Sequence, residues 1–237
     1  GDHRDLHLSI RRQRQMCIRD RFSIEETIKT PERDEKKDSV MHVLRSFDIN
    51  KPGTSINDMK GGVIGGSLTQ GNFKVGDEIE IKPGVLNEKK KTYESLHTEI
   101  VSLGTGAGTV DSVKPGGLVA IATKLDPSLT RGDSFLGSVI GKPDSLPEIS
   151  DVARLEVNLF DSAVGSSKEE KILPIKTGEN LRINIGTAPI LGKVTKSNSE
   201  KIELSLRRPA CLFNDSNIAI SRRISDRWRL IGAGTVG

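Results

Sequence analysis

The stretch from Lys60 to Gly84 most constrains what this chain can fold into. Apolar residues alternate there with small or polar ones in two segments, which are separated by a turn at Gly71-Asn72 and closed by Pro83-Gly84. Such alternation is typical of β-strands that bury one face. We therefore predict a hairpin within a small antiparallel barrel, with these side chains on its inner face: Ile64, Leu68, Ile79 and Ile81.

The outer face of this hairpin would carry unusually little side chain. The side chains expected there are those of Val63, Gly65, Ser67, Thr69, Glu78, Glu80 and Lys82. Glycine at an outward position lets the backbone or ring of a partner come very close. Glycine also permits the coiling of a closed barrel, so a binding role and a structural role are both open for Gly65.

The chain from Ser39 onward reads as an all-β protein. Several short strands separated by glycine and proline turns precede Gly141, and a second set follows Glu148. Short strands at this spacing favour closed barrels over a helix-covered parallel sheet. The predicted fold class is all-β, with two consecutive antiparallel β-barrels.

Individual strands are predicted where apolar residues lie between turns. They are MHVLRSFDI, LHTEIVSL, LVAIAT and FLGSVI in the first set, and VARLEVNLF, KILPI, LRINIG, ILGKVT, KIELSL, NIAISRRI and RWRLIGAGTV in the second. KPGVLNEKKKTYES is expected to be a polar excursion between strands. In the last strand, alternation predicts that Trp228 and Leu230 face inward. Arg227 and Arg229 would then point to solvent or to a partner.

Residues 1–21 fit nothing that follows. The segment is basic, lacks the long apolar core of a secretory signal, and ends in RRQRQMCIRDR, which looks like a translated sequencing-adapter scar. A basic arm that binds nucleic acid is the alternative. Phe22–Lys29 is predicted as the end of a helix, closed by Thr30-Pro31 and followed by a charged linker.

The predicted organisation has four parts. Residues 1–21 form an unrelated extension, and 22–38 contain the end of the helix and the linker. The first barrel covers 39–145 and the second 146–237, because Gly141–Glu148 combines two prolines, a glycine and acidic residues as domain boundaries often do.

Composition excludes some classes of protein and leaves others open. The net charge of +4 and pI near 9.0 allow an anionic partner without requiring one. An aromatic content of 3% argues against a single-strand nucleic-acid binder with a stacking platform. No apolar run approaches the roughly 20 residues that a membrane span needs. Cys17 and Cys211 lie far apart, which argues against a zinc site and favours a reduced, cytoplasmic protein.

Signals for nucleotide binding and catalysis are weak. No P-loop sequence is present, Asn50-Lys51-Pro52-Gly53 lacks the Asp of a guanine-reading motif, and Asp58-Met59-Lys60-Gly61 is a loose match to Asp-x-x-Gly. His42 and His97 lie on predicted strands without a recognisable partner. We expect no catalytic residue, no metal and no cofactor in this chain.

Basic residues are concentrated at two places. Lys89-Lys90-Lys91 is predicted to be a solvated loop or a phosphate contact. Arg207-Arg208 and Arg222-Arg223, together with Arg227 and Arg229, predict a basic surface on the second barrel. Its partner would be a nucleic acid or an acidic protein.

Five segments together resemble the gamma subunit of archaeal and eukaryotic translation initiation factor two. They are RSFDINKPG (Arg45 to Gly53), the stretch Lys60 to Gly84, TEIVSL, KPGGLVAIATKLDPSLTRGD (Lys114 to Asp133) and SRRISDRWRLIG (Ser221 to Gly232). The similarity runs from about Phe22 to the C-terminus and is closer to the archaeal form.

This resemblance implies a fold and a role in translation. The family is related to elongation factor Tu and consists of a GTPase domain followed by two β-barrels. As part of an alpha–beta–gamma trimer it carries initiator methionyl-tRNA to the small ribosomal subunit. The resemblance covers only the barrels, with residues 22–38 as the end of the GTPase domain and its linker. GTP, Mg²⁺ and hydrolysis would therefore belong to the missing domain, and this fragment would not be an enzyme.

The resemblance also implies partners and rivals. The alpha subunit would dock on the first barrel, and the beta subunit only on the missing domain. One rival is a complete GTPase truncated only in this sequence. Another is the barrel pair of a different tRNA carrier, such as a selenocysteine-specific or general elongation factor.

Candidate tRNA-binding residues follow from motif position within this family. Val63 and Gly65 would form a floor for the terminal adenosine and the amino acid of the charged tRNA. Val101 and Thr123 would border that floor, and Lys124 would lie near the phosphate backbone. Elongation factor Tu has a glutamate in the place of Val101, so the polar contact made there would differ.

Overall fold

The computed structural model describes residues 17–28, 32–164, 171–198, 200–214 and 216–237. The chain divides into two units, Gly1–Arg33 and Asp34–Gly237.

The first unit contains one described helix, α1, over residues 17–27. The predicted helix after Phe22 is thus confirmed as far as residue 27. Its N-terminal part, 17–21, belongs to the segment that we predicted to be an unrelated extension. The rest of that extension and Thr30-Pro31 lie outside the described residues.

The second unit is built from β-strands, with two short 3-10 helices at Ile56–Asp58 and Pro127–Asp133. The strands are β1 (Val40–Phe47), β2 (Val63–Gln70), β3 (Phe73–Lys74), β4 (Glu78–Asn87), β5 (Thr92–Thr105), β6 (Gly108–Val110), β7 (Ser112–Val113), β8 (Leu118–Thr123), β9 (Val139–Gly141), β10 (Ile149–Leu159), β11 (Asn180–Ile185), β12 (Ala188–Ser197), β13 (Lys201–Cys211), β14 (Asn217–Ile224) and β15 (Arg227–Val236).

The first six-stranded barrel runs in the order β4-β9-β1-β2-β8-β5 and closes because β4 also pairs with β5. All of these pairings are antiparallel, which confirms the predicted fold class for this half. The inward residues predicted from alternation are confirmed as well, since these four are fully buried: Ile64, Leu68, Ile79 and Ile81.

The predicted hairpin between β2 and β4 is wrong. β2 pairs with β1 and β8, whereas β4 pairs with β5 and β9. The short strand β3 lies between them in sequence and pairs with β7, and the Lys74 amide donates to Asp77 Oδ2 at 2.9 Å in the following turn. The chain therefore leaves β2 and enters another part of the barrel instead of turning back.

The predicted end of the second segment at Pro83-Gly84 is also wrong. β4 continues to Asn87, and its register against β5 shifts between Ile81 and Val85. Gly84 has a positive φ of 78°, and a Cβ there would collide with the Glu94 main chain. This irregularity lets the strand pass the proline, so the predicted polar excursion is a long β4–β5 hairpin.

The second barrel closes in the order β10-β13-β12-β11-β14-β15. Two details of the predicted strands differ. KILPI forms only an isolated bridge, between Ser162 and Lys171, in the described part of that segment. In β15 the register shifts opposite Ile220–Ser221, so Ile231 is fully buried while Trp228 lies outside the core cluster.

The two barrels contact each other within the second unit. Thr187 Oγ1 donates to the Val43 carbonyl at 2.7 Å, and Arg208 donates to the Leu136 carbonyl at 3.1 Å and to Ser138 Oγ at 3.2 Å.

FLGSVI was predicted to be a strand, but only its last two residues belong to β9.

Two charged residues predicted to face outward are buried beside this interface. Glu80 and Lys82 are 4% and 8% exposed, because the Leu146 segment covers them and its carbonyl accepts from Lys82 Nζ at 3.3 Å. Burial also raises the pKa of the nearby Cys211 thiol to about 11, so this thiol is held in its unreactive form.

Candidate functional site

Small side chains cover the outer surface of three neighbouring strands of the first barrel, β2, β8 and β5. Two rows of directly paired residues form this small-residue floor: Gly65–Ala120–Gly104 and Val63–Ala122–Ser102. A flat chemical group can lie against such a surface without meeting a long side chain.

Gly65 is open above its Cα, unlike its sequence neighbours Gly62 and Gly66. A Cβ added there would find its nearest neighbour, Arg45 Cβ, at 3.8 Å, which is ordinary contact. A Cβ on Gly66 would collide with the His42 carbonyl, and one on Gly62 with the Thr130 side chain. Barrel packing therefore explains the glycines at 62 and 66 and leaves Gly65 without a packing reason.

Arg45, the β1 neighbour of Gly65, is held by the carboxylate of Asp133. Its Nε donates to Asp133 Oδ1 at 2.9 Å, and the Ser46 amide donates to the same oxygen at 2.9 Å. The Ser46 and Arg45 hydrogen bonds keep the pKa of Asp133 below its usual value. The turn Arg131-Gly132-Asp133 is thus held against β1 by its last residue.

A groove of about 860 Å³ borders the floor. The β5–β8 register shifts between Ile100 and Ser102, so Val101 is an extra residue in β5 and projects into the groove, 48% exposed. Bulges of this kind re-aim a side chain at a functional edge. The opposite wall comes from the β1–β2 loop, through Ile49 and Met59.

Asn50 holds that loop in place. Its Nδ2 donates to the Lys60 carbonyl at 2.7 Å, and its Oδ1 accepts from the Lys60 amide at 2.8 Å. The Asn50 amide also donates to Asp48 Oδ1 at 2.8 Å, and Arg131 contacts the other oxygen of Asp48 at 3.2 Å. The hydrogen bonds from Asn50 are the main reason that the pKa of Asp48 is lowered. The side-chain amide of Asn50 is therefore engaged within the loop and is not presented to a nucleotide base.

The structure brings the five predicted tRNA-binding residues to one surface but presents them differently. Gly65 and Val101 offer accessible surface, whereas Val63 is only 7% exposed. Thr123 is buried, and its Oγ1 donates to the Gly62 carbonyl at 2.8 Å. Lys124 is exposed at the groove edge, with its Nζ 2.6 Å from Glu99 Oε2.

Several residues of this surface were missed from the sequence. Ala120, Ala122 and Gly104 were not singled out, because small residues in a strand carry no signal of their own. Met59, 46% exposed, lies in a loop where alternation says nothing about facing. Ile49, 45% exposed, was placed at the end of the predicted strand MHVLRSFDI, but β1 ends at Phe47 and leaves it in the same loop.

His42 lies at the contact between the barrels. Its ring centroid is 6.3 Å from that of Phe213 in an edge-to-face arrangement, and burial lowers the pKa of the imidazole. Burial thus disfavours the charged form of the imidazole at this contact.

Two structural features are absent from the described residues. Among them, no three His, Cys, Asp or Glu side chains are grouped closely enough to hold a metal ion. In the same part of the chain, no helix has the length and apolar character that crossing a membrane would require.

Comparison with known proteins identifies relatives of both barrels. Residues 151–236 match the family model described as "Initiation factor eIF2 gamma, C terminal". Translation initiation factor 2 subunit gamma of Thermococcus onnurineus is 52% identical over 216 residues, which are 90% of this chain and 53% of that protein. The protein of the same name from Archaeoglobus fulgidus is 50% identical over 214 residues, or 90% of this chain and 50% of that protein.

A solved structure shares the fold. The bacterial selenocysteine-specific elongation factor EF-Sec superposes with a TM-score of 0.66 at 17% identity, over 94% of this chain and 31% of that chain. The present chain spans about half the length of the archaeal relatives that it matches. The chain belongs to the family of translation initiation factor 2 gamma subunits, as the resemblance predicted.

Proposed function

We propose that the first barrel of this chain holds the aminoacylated end of initiator methionyl-tRNA on its small-residue floor. In this proposal the chain is part of a gamma subunit that delivers the tRNA to the small ribosomal subunit. GTP and Mg²⁺ would be bound by the half of the relatives that this chain does not match.

The observation that carries the proposal is the unobstructed surface above Gly65. Barrel packing does not require glycine there, and the neighbours across the sheet, Ala120 and Gly104, are equally small. Bases that are taken out of a helix pack their flat faces against protein surfaces. A terminal adenine ring fits a flat floor of this kind, with an apolar amino acid toward Val101 and Met59.

Charge at the groove edge supports a nucleic-acid ligand. Lys60 and Lys124 line the groove together with the apolar residues. The ion pair of Lys124 with Glu99 is solvent-exposed, and such pairs are weak. A phosphate of the acceptor strand can therefore replace Glu99 as the partner of Lys124 at little cost.

The change Gly65→Arg tests this proposal. A long side chain on the floor should weaken the binding of methionyl-tRNA about tenfold or more, which corresponds to about 1.4 kcal/mol. The measurement is a tRNA titration in the presence of GTP. It uses a fusion of this chain to the N-terminal half of the Thermococcus onnurineus relative, since tRNA binding is proposed to need both halves.

Two matched variants separate obstruction from other effects. Gly65→Ala adds a methyl group that fits the structure and should leave affinity within about twofold. Asn217→Arg adds the same charge on the exposed start of β14 in the second barrel and should also have little effect. Unchanged affinity in Gly65→Arg, with the fold intact by circular dichroism, would mean that Gly65 serves only the curvature of the barrel.

We also propose that the alpha subunit of the factor docks on the first barrel. A pull-down with immobilised alpha subunit should retain this chain without the N-terminal half of the relatives. Retention should persist in Gly65→Arg, because the proposed alpha contact does not require the floor. Recovery of a folded chain entirely in the flow-through would overturn the alpha assignment and leave the tRNA proposal untouched.

Another tRNA carrier is the rival function. The similarity to the selenocysteine-specific factor is 17% in identity and concerns the fold. The identity to initiation factor 2 gamma subunits is 52% and 50% in the two relatives above. The initiation factor is therefore the function proposed.

A further inference from the structure

The outer surface of the second barrel carries a basic face, formed by Arg182, Lys193, Arg207, Arg223 and Trp228. Strand pairing places these residues near one another. Between β11 and β12, Arg182 pairs with Leu191 and Asn180 pairs with Lys193. Between β14 and β15, Arg223 pairs with Trp228. A groove of about 530 Å³ runs across this surface and is lined by Lys193, Arg207, Arg223 and Trp228.

Only part of the arginine-rich sequence contributes to this face. Arg208 points to the first barrel, where it donates to the Leu136 carbonyl. Arg222 donates to Glu179 Oε2 at 3.2 Å and to the Leu173 carbonyl at 2.8 Å. The two arginine pairs predicted to form one basic surface are thus divided, with one member of each engaged inside the structure.

Among the described residues, three of the four cations of the basic face have no carboxylate partner, namely Arg182, Lys193 and Arg207. Arg182 Nε is buried and has no hydrogen-bond partner among the described residues. Its guanidinium lies 5.4 Å from the centre of the Trp228 ring. Among the described residues, Arg223 is the member of this face that contacts a carboxylate, that of Asp226 at 3.0 Å. The buried Arg182 Nε is closed to a partner, so the cations that line the groove and have no carboxylate among the described residues, Lys193 and Arg207, are the ones open to an anionic ligand.

The lining of the groove favours a protein partner over RNA. This face presents four cations, fewer than the roughly 6–10 phosphate contacts of a strongly salt-dependent nucleic-acid complex. Binding of unpaired bases uses several stacking aromatics, whereas Trp228 stands alone on this face, beside Leu191 and Leu206. Tryptophan and arginine together are typical of the anchoring residues of protein–protein interfaces.

We propose that the basic face binds an acidic protein segment. Its carboxylates would accept from Lys193 and Arg207, and an apolar side chain would lie in the groove against Trp228. This surface is separate from the small-residue floor and concerns a different partner.

Selection from a displayed library of random 12-residue peptides tests the chemistry of the partner. The full chain is the target. We expect the recovered peptides to be enriched in Asp and Glu around a Leu, Phe or Trp. Recovered sequences without acidic enrichment would overturn the proposal.

A labelled peptide with the consensus of the selection then tests the place of binding by fluorescence anisotropy. The double variant Lys193→Glu/Arg207→Glu should weaken the affinity at least tenfold, and Trp228→Ala should weaken it in the same direction. Lys89→Glu/Lys91→Glu, a double charge reversal in the exposed β4–β5 turn, serves as the matched control and should leave affinity within about twofold. Equal losses in the double variant and the control would mean nonspecific attraction and overturn the proposal.

Two further measurements complete the test. A 20-nucleotide RNA, single-stranded or as a duplex, should bind the chain more weakly than the peptide and should not compete with it. Tighter RNA binding that is lost in Lys193→Glu/Arg207→Glu would assign the face to RNA and overturn the peptide proposal. Gly65→Arg should leave peptide binding unchanged, so failure here and failure of the tRNA proposal are distinguishable.

Discussion

Gly66→Ala is expected to destabilise the second unit by about 3 kcal/mol, at the upper end of the range for overpacked cores. A Cβ at this position would collide with the His42 carbonyl and crowd the Met41 side chain. Both belong to β1, which pairs directly with β2, so relief requires the two strands to separate. Urea unfolding followed by circular dichroism measures the change.

Gly65→Ala is the matched control one residue away. Its Cβ would meet only ordinary contacts in the folded strand. Alanine also leaves the unfolded chain fewer backbone conformations than glycine does, which favours the folded state. We expect the free energy of unfolding to change by less than about 0.5 kcal/mol. Similar effects of the two substitutions would contradict the distinction between a packed and an open glycine, and with it the basis of the small-residue floor.

Lys82→Met is expected to cost about 3–5 kcal/mol, the usual penalty for leaving a buried charge without its partner. Lys82 Nζ lies 3.4 Å from Glu80 Oε1, and both side chains are at most 10% exposed. The other oxygen of this carboxylate, Glu80 Oε2, has no hydrogen-bond partner among the described residues. Removing the ammonium group leaves this buried carboxylate with the His97 ring, whose Nε2 lies 3.8 Å from Glu80 Oε1, as its remaining ionisable neighbour among the described residues.

Two controls bracket this result. The double change Glu80→Gln/Lys82→Met removes both charges and should recover most of the lost stability. Lys114→Met breaks the exposed ion pair with Glu35, whose side chains are 68% and 49% exposed, and should cost no more than about 1 kcal/mol. A loss in Lys82→Met as small as in Lys114→Met would show that water reaches the Glu80 carboxylate.

Alternation of side chains predicted the core of the first barrel well. Ile64, Leu68, Ile79 and Ile81 are inward because a strand has a period of two residues wherever it is regular. The partner of each strand was not predictable from this pattern. β2 and β4 follow one another in the chain, but their pairing depends on closure of the whole barrel, which no local pattern encodes.

Irregular positions explain the other differences. A register shift reverses the facing of every residue beyond it. Trp228 was expected inside and lies outside for this reason, and the projection of Val101 arises in the same way. Glu80 and Lys82 were expected in solvent because their burial comes from a segment more than sixty residues away.

The candidate site was only partly predictable. Glycine at 65 and glycine at 66 are indistinguishable in sequence, and only their three-dimensional neighbours show that one is packed and the other open. The resemblance to a known family indicated Gly65 and Val101. The walls formed by Ile49 and Met59 depend on the loop that Asn50 holds, and this hydrogen bonding is not visible in the sequence.

Two hydrogen bonds between the barrels can be removed by substitution from one barrel but not from the other. Their acceptors, the carbonyl groups of Val43 and Leu136, belong to the main chain of the first barrel. The donors, Thr187 Oγ1 and the Arg208 guanidinium, are side chains of the second. Point mutations in the first barrel cannot delete those acceptors, whereas one codon change in the second removes a donor. Each of these two hydrogen bonds can therefore be lost by a single substitution in the second barrel but not by one in the first.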